Sequence, residues 1–281
     1  MKRELAAAIA IPVVLAILFF APPILFNLLV AMVALGALWE FYRLAEKTGH
    51  PVAKSLGILL GGIVLGTACI FWGPVRFETR SGALVEIVGR VSPGRALAVG
   101  LAAVFLSSLA PLVSRIPPAL ALSTAGSTLF GVLSVALPAT SLCYLRSVSP
   151  RAVLALLLLV WICDSCAYYF GSRFGRHKLA PVVSPRKTWE GSVAGLIGAT
   201  AFGAVAGIWW FLPSLGPVRG ALAGALASTA GQLGDLVESL WKRGAGVKDS
   251  GVFLPGHGGF YDRVDSLLFA GPVLAAFVAA L

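Results

Sequence analysis

The chain has 281 residues, 58% of them hydrophobic and only 12% charged, and its mean hydropathy is +0.90. Soluble domains carry about 25% charged residues, so this composition excludes an ordinary water-soluble globule and makes lipid the solvent for much of the chain. The formal net charge of +10 does not point to nucleic acid, because no basic run is long and no basic patch is interleaved with aromatics.

A helical crossing takes about 20 apolar residues. Apolar stretches broken by charged or Pro/Gly-rich segments predict an all-α polytopic membrane protein of about nine transmembrane helices, near 5–20, 24–44, 55–72, 96–114, 119–144, 151–171, 191–212, 218–241 and 265–281. The first stretch follows Lys2 and Arg3. It runs on past Pro22-Pro23 without a small-residue cleavage site, so it reads as a retained span rather than a signal peptide. The loop 73–95 carries Arg76, Glu78, Arg80, Glu86 and Arg90 and reads as an interfacial segment facing outward. Segments 119–144 and 218–241 are rich in Ala, Gly, Ser and Thr, which suits close helix contacts. Cys69, Cys143, Cys163 and Cys166 all lie in apolar stretches and imply no disulfide framework. The CxxC at 163–166 lacks the second pair that a zinc site needs.

With the N-terminus in the cytoplasm, most of the 22 Lys and Arg fall on that side, as the positive-inside rule requires. Loops 172–190 and 242–264 then share the cytoplasmic face. Residues 1–150 read as N-terminal spans, roughly five of them, and 151–281 as the region that carries the chemistry.

Asp164 lies within the sixth apolar stretch, with Tyr168 a turn later. An intramembrane Asp is a functional candidate by default, against the alternatives of a hydrogen bond to a neighbouring helix or an internal cation partner. In "GSRFGRHKLAPVVSPRKTWEGS" (171–192), membrane topology accounts for Arg173, Arg176 and Lys178. Ser184-Pro185 reads as N-cap and first helical residue, placing Arg186 and Lys187 in the opening turn, with Thr188 next. Cations are unfavourable there unless an anion is present, and a helix start is an anion site.

In "GQLGDLVESLWKRGAGVKD" (231–249), Gln232, Asp235 and Ser239 fall on one helix face, flanked by Glu238. Glu238 is four residues before Lys242 and could simply pair with it. Gly234 leaves backbone room beside Asp235 for something to approach. The loop beyond interleaves Lys248-Asp249 and His257 with glycines including Gly258 and Gly259, whose amides can cradle an anion. Asp262 and Asp265 share a face if this stretch is helical; Asp265 could cap the helix, and Asp262 could take a metal or hold Arg263. Several carboxylates with one His and no Cys suit a hard cation such as Mg²⁺. The surrounding Lys and Arg then suit a polyphosphate.

Ser239–Ser266, "SLWKRGAGVKDSGVFLPGHGGFYDRVDS", resembles the signature of phosphatidate cytidylyltransferases (CDP-diacylglycerol synthases): Ser, Lys-Arg, four residues, Lys-Asp, PGHGG, then Asp-Arg and Asp. "GDLVES" (234–239), "SPRKTWEG" (184–191) and "DSCAYYFGSRFGRHKL" (164–179) fit as well. The resemblance covers 151–281; before that it extends only to generic spans. Tyr261 stands where an aliphatic residue is more usual.

The resemblance implies that phosphatidate and CTP give CDP-diacylglycerol and pyrophosphate, in phospholipid biosynthesis. It also implies Mg²⁺ with a second cation such as K⁺, a homodimer, and the cytoplasmic (inner) membrane. By motif match, Asp235 and Asp249 are the metal ligands, with Glu238, Asp262, Asp265 and Asp164 as further candidates. Lys248, His257, Asp262 and Arg263 join the two Asp as catalytic candidates. Ser184, Arg186, Lys187, Thr188, Ser239, Lys242, Arg243, Gly258 and Gly259 are expected to bind substrate. Alternatives are a related transferase acting on another membrane lipid, or a secondary transporter. A transporter would gather polar residues at the bilayer midplane, not at one face.

Overall fold

The computed structural model describes residues 2–71, 74–78, 84–88, 102, 104–109, 111, 116–208, 211, 212, 214–251 and 258–280, with the backbone alone for 2–10, 69–71, 74–78 and 84–88. The chain divides into two compact units, one of Met1–Ser147 with Gly251–Tyr261, the other of Val148–Ser250 with Asp262–Leu281.

The first unit contains α1 (Lys2–Phe20), α2 (Pro23–Lys47), α3 (Lys54–Phe71), an antiparallel hairpin of β1 (Pro74–Glu78) and β2 (Leu84–Val88), and α4 (Pro118–Val148). Pro22 is extended and Pro23 opens α2, since proline favours extended backbone before it and tolerates the first helical position. Phe26, Val30, Ala34, Leu38 and Phe41 are buried along one stripe of α2, the helical spacing of a core-facing side. The Tyr42 hydroxyl donates to the Thr128 carbonyl at 2.8 Å, and Thr128 Oγ1 accepts from Ala53 N at 3.1 Å. Within α4, Val132–Ala136 widens to a π turn just before Pro138, which has no N–H for the next helical bond.

The second unit contains α5 (Pro150–Phe174), β3 (Lys178–Ala180), β4 (Ser184–Thr188), α6 (Trp189–Ile208), α7 (Gly216–Gly244) and α8 (Tyr261–Ala279). Ser149 caps α5, its hydroxyl accepting from Arg151 N at 3.1 Å, with Pro150 at the first position. The expected helix start at Ser184-Pro185 is corrected here: Ser184–Thr188 is a strand, with Ala180 opposite Ser184 and Lys178 opposite Thr188. A two-stranded ribbon leaves one side of β4 unpaired, so Pro185 is tolerated. Trp189 N donates to His177 O at 3.0 Å. Only there does the helix begin, capped by Thr188 Oγ1, which accepts from Gly191 N at 3.2 Å. Arg186 and Lys187 thus stand on a strand.

Four helices among the described residues are long and apolar enough to cross a membrane, α2, α4, α5 and α6, with shorter apolar stretches at Ile11–Phe20 and Lys54–Ala68. The architecture is that of a helical membrane protein. Of the expected segments, 96–114 lies mostly outside the described residues; α7 covers 218–241 and α8 covers 265–279, with the carboxylates of both near the C-terminal end of α7 and the N-terminal end of α8.

Helices α6 and α7 meet backbone to backbone. A Cβ on Gly203 would run into the Gly220 carbonyl and stand 3.0 Å from Gly224 Cα. This is the small-residue contact expected between helices in lipid. Gly203→Leu should therefore force the two apart and cost about 1–3 kcal/mol or more, read as a lower unfolding midpoint in detergent. Gly62→Ala, at a helical position with nothing within 4 Å of the new Cβ, should not lower it.

Candidate functional site

Within the second unit, α5, the β3–β4 hairpin and α7 enclose a cavity of about 560 Å³ whose lining includes Asp164, Lys178, Arg186, Lys187, Gln232 and Asp235. The hairpin supplies the three cations, and the helices supply the two carboxylates. Lys187 Nζ lies 2.6 Å from Asp235 Oδ2, both side chains partly exposed, and Ser239 Oγ donates to Asp235 Oδ1 at 3.4 Å. Gln232 is occupied in holding α7 to α6: its Oε1 accepts from Ser192 Oγ at 2.5 Å and its Nε2 donates to Ser192 O at 3.3 Å.

Gly234 explains how a third carboxylate arrives. A Cβ there would stand 2.6 Å from a Phe269 ring carbon and 2.8 Å from the Asp265 carbonyl. The expected room beside Asp235 is therefore filled by α8. This close crossing sets Asp235, Glu238 and Asp265 together, with one oxygen of each within 4.8 Å of the others.

Glu238 is 1% exposed. Its Oε2 meets Lys242 Nζ at 2.5 Å, the i,i+4 ion pair expected from the spacing, yet neither oxygen has a properly aligned hydrogen-bond donor. A buried carboxylate with spare acceptor capacity, beside two more carboxylates, fits a hard, oxygen-preferring cation. Lys242 also lies 2.7 Å from Asp262 Oδ1. Burial alone would lower its pKa, but Glu238 and Asp262 outweigh that and hold the ammonium above its ordinary value. Asp262 Oδ2 in turn accepts from both the amide and the hydroxyl of Ser250, each at 3.0 Å.

The remaining expected residues lie outside this cluster. Lys248 and Asp249 are exposed in the turn after α7, and Asp249 is not one of the three grouped carboxylates. The Arg243 guanidinium donates to the carbonyls of Val183 and Val247, at 3.3 and 3.2 Å, and so braces the hairpin turn. Arg263 is exposed on the first turn of α8 and Ser184 begins β4. His177 Nδ1, at the hairpin's base, lies 2.7 Å from Glu190 Oε1. Gly258 and Gly259 belong to the first unit, Gly258 at φ +79°; His257 lies outside the described residues.

One buried carboxylate was missed by the sequence reading. Glu40 of α2 is 6% exposed and accepts from Tyr261 N at 2.9 Å. The available signal was an acidic residue inside the otherwise apolar stretch 24–44, which is costly without a partner.

Among known proteins, a chain named phosphatidate cytidylyltransferase from Staphylococcus saprophyticus is 43% identical over 155 residues, covering 52% of this chain and 56% of the relative. One of the same name from Synechocystis is 45% identical over 122 residues, covering 43% and 41%. Another from Staphylococcus aureus is 45% identical over 131 residues, covering 46% and 49%. The chain thus spans about half the length of the relatives it matches. The profile of the cytidylyltransferase family, by contrast, matches residues 1–281. Since that match runs the whole length, the chain belongs to the cytidylyltransferase family.

Proposed function

We propose that the protein is a phosphatidate cytidylyltransferase, joining CTP to phosphatidate to form CDP-diacylglycerol and pyrophosphate. The observation that carries this reading is the cavity in which Lys178, Arg186 and Lys187 face Asp235, next to the two further carboxylates Glu238 and Asp265. The name of the relatives at 43–45% identity supports the same reaction.

The nucleophile is a phosphate oxygen of phosphatidate, already ionised at neutral pH, so no strong base is needed. It attacks the α-phosphorus of CTP in line with the departing pyrophosphate, and catalysis is mainly positioning and charge neutralisation. Lys187, 2.6 Å from Asp235, binds a phosphate oxygen of the nucleotide. Lys178 and Arg186 hold the remaining anionic oxygens, with Thr188 and Ser184 keeping the hairpin in register. Asp235, Glu238 and Asp265 would hold the cation, with Asp249 joining from the loop. Bound Mg²⁺, with a companion such as K⁺, offsets the repulsion between the two anions. Lys248, His257, Gly258, Gly259 and Arg263 belong to the same substrate-binding set by their place in the signature. The reading includes nine crossings, a homodimer in the inner membrane, and N-terminus and site on the cytoplasmic side, where CTP and lipid headgroups meet.

The test is purified protein in detergent with phosphatidate, CTP and Mg²⁺, following both products. Equal release of CDP-diacylglycerol and pyrophosphate is expected. CTP binding without turnover would point to another lipid acceptor, and a folded protein that binds no CTP would overturn the reading.

A further inference from the structure

Both ends of the segment Gly251–Tyr261 meet on one side chain. Glu40 Oε2 accepts from Tyr261 N at 2.9 Å, and Gly251 packs so closely that a Cβ there would overlap the same carboxylate. The neighbouring surface of α2 completes the seat. The Phe260 ring lies over Gly36, one turn before Glu40, where a Cβ would stand 2.6 Å from its Cδ2. Tyr261, 1% exposed, meets the Phe41 ring edge-on at 6.3 Å between centroids. A helix that needed only to pack here would carry a Leu at position 40, because a buried carboxylate is costly to desolvate. The carboxylate instead accepts from the backbone amide of Tyr261, which a Leu could not do.

We infer that Glu40 is a positioning residue for the reaction proposed above: it ties Gly251 and Tyr261 to one side chain of α2 and so sets the backbone of Gly258 and Gly259, just before Tyr261. The inference rests on that reaction for its kinetic consequence, but the clamp itself can be seen without substrate. Without that hydrogen bond the backbone of Gly258–Tyr261 opens locally at a lower free-energy cost.

The discriminating variant is Glu40→Leu in the full-length protein, which fills the same apolar space but accepts no hydrogen bond. Amide hydrogen exchange without substrate should rise by about tenfold or more at Gly258–Tyr261 while Phe26–Leu38 of α2 stays protected, as expected for a local rather than global opening. Turnover of CTP and phosphatidate should fall by about 10–100-fold, the scale of a misplaced catalytic segment. Glu40→Gln, which keeps one acceptor for Tyr261 N, should recover most of it. A residue serving only the core would behave differently, since Leu would then preserve activity at least as well as Gln. Unchanged exchange at Gly258–Tyr261, or a Glu40→Leu protein as active as wild type, overturns the inference. If the wild type itself forms no CDP-diacylglycerol, the reaction reading fails, and the clamp stands or falls on the exchange result alone.

Discussion

Asp235→Asn is expected to lower CDP-diacylglycerol and pyrophosphate formation together by about 10²–10³-fold, the loss typical of removing one preorganised electrostatic group, in a protein that remains folded. Asn keeps the shape of the side chain and removes its charge. Stability should barely change, because the Lys187–Asp235 pair is partly exposed and such pairs contribute about 0–1 kcal/mol. The cavity would keep its three cations and lose one of two acids, so CTP binding is expected to persist while turnover collapses. A variant that binds CTP and turns it over normally would remove Asp235 from the chemistry. Asp249→Asn sharpens the result. Asp249 is exposed and outside the grouped trio, so it reaches the reacting phosphates only if the loop comes to them. A loss of about tenfold or more, beyond what an exposed charge contributes to folding, is expected on the proposed mechanism. Full activity would take Asp249 off the ligand set and leave Asp235, Glu238 and Asp265.

What could be read in advance follows from the range of the interactions. The apolar stretches were legible because lipid imposes a length and a composition on every crossing. The pairing of Glu238 with Lys242 was legible because both lie on one helix, four residues apart. Asp235, Glu238 and Asp265 were each named, but not as a set. Their meeting depends on α8 crossing α7 at Gly234, which no periodicity in either helix reveals. Ser184-Pro185 shows the opposite failure. The same dipeptide can open a helix or enter an edge strand, and the choice is made by Lys178–Ala180 across the turn. Glu40 and Tyr261 are 221 positions apart, so the clamp on the signature segment was out of reach of local pattern.

Lys242→Met should be the most destabilising single change in the site, by about 3–5 kcal/mol, the scale of breaking a buried ion pair from one side. Lys242 is 13% exposed and stands between Glu238 and Asp262. Its two partners are not equally dependent on it. Asp262 keeps the amide and hydroxyl of Ser250. Glu238, at 1% exposure and with no aligned donor, is left as a buried carboxylate beside Asp235 and Asp265. Adding Glu238→Gln to Lys242→Met should therefore restore most of the lost stability, and adding Asp262→Asn should restore little. Denaturant unfolding in detergent for wild type, single and double variants forms the cycle that isolates the coupling. Additive losses for 238 and 242 would mean the two side chains do not act as a pair. The same variant also tests the carboxylate trio without any assay of turnover. A cation that binds the folded state shifts unfolding by mass action. If Glu238 is one of its ligands, Mg²⁺ should stabilise Lys242→Met more than wild type, and the gain should vanish once Glu238→Gln is added. Equal Mg²⁺ stabilisation in all three proteins would place the cation elsewhere and leave Glu238 as the partner of Lys242 alone.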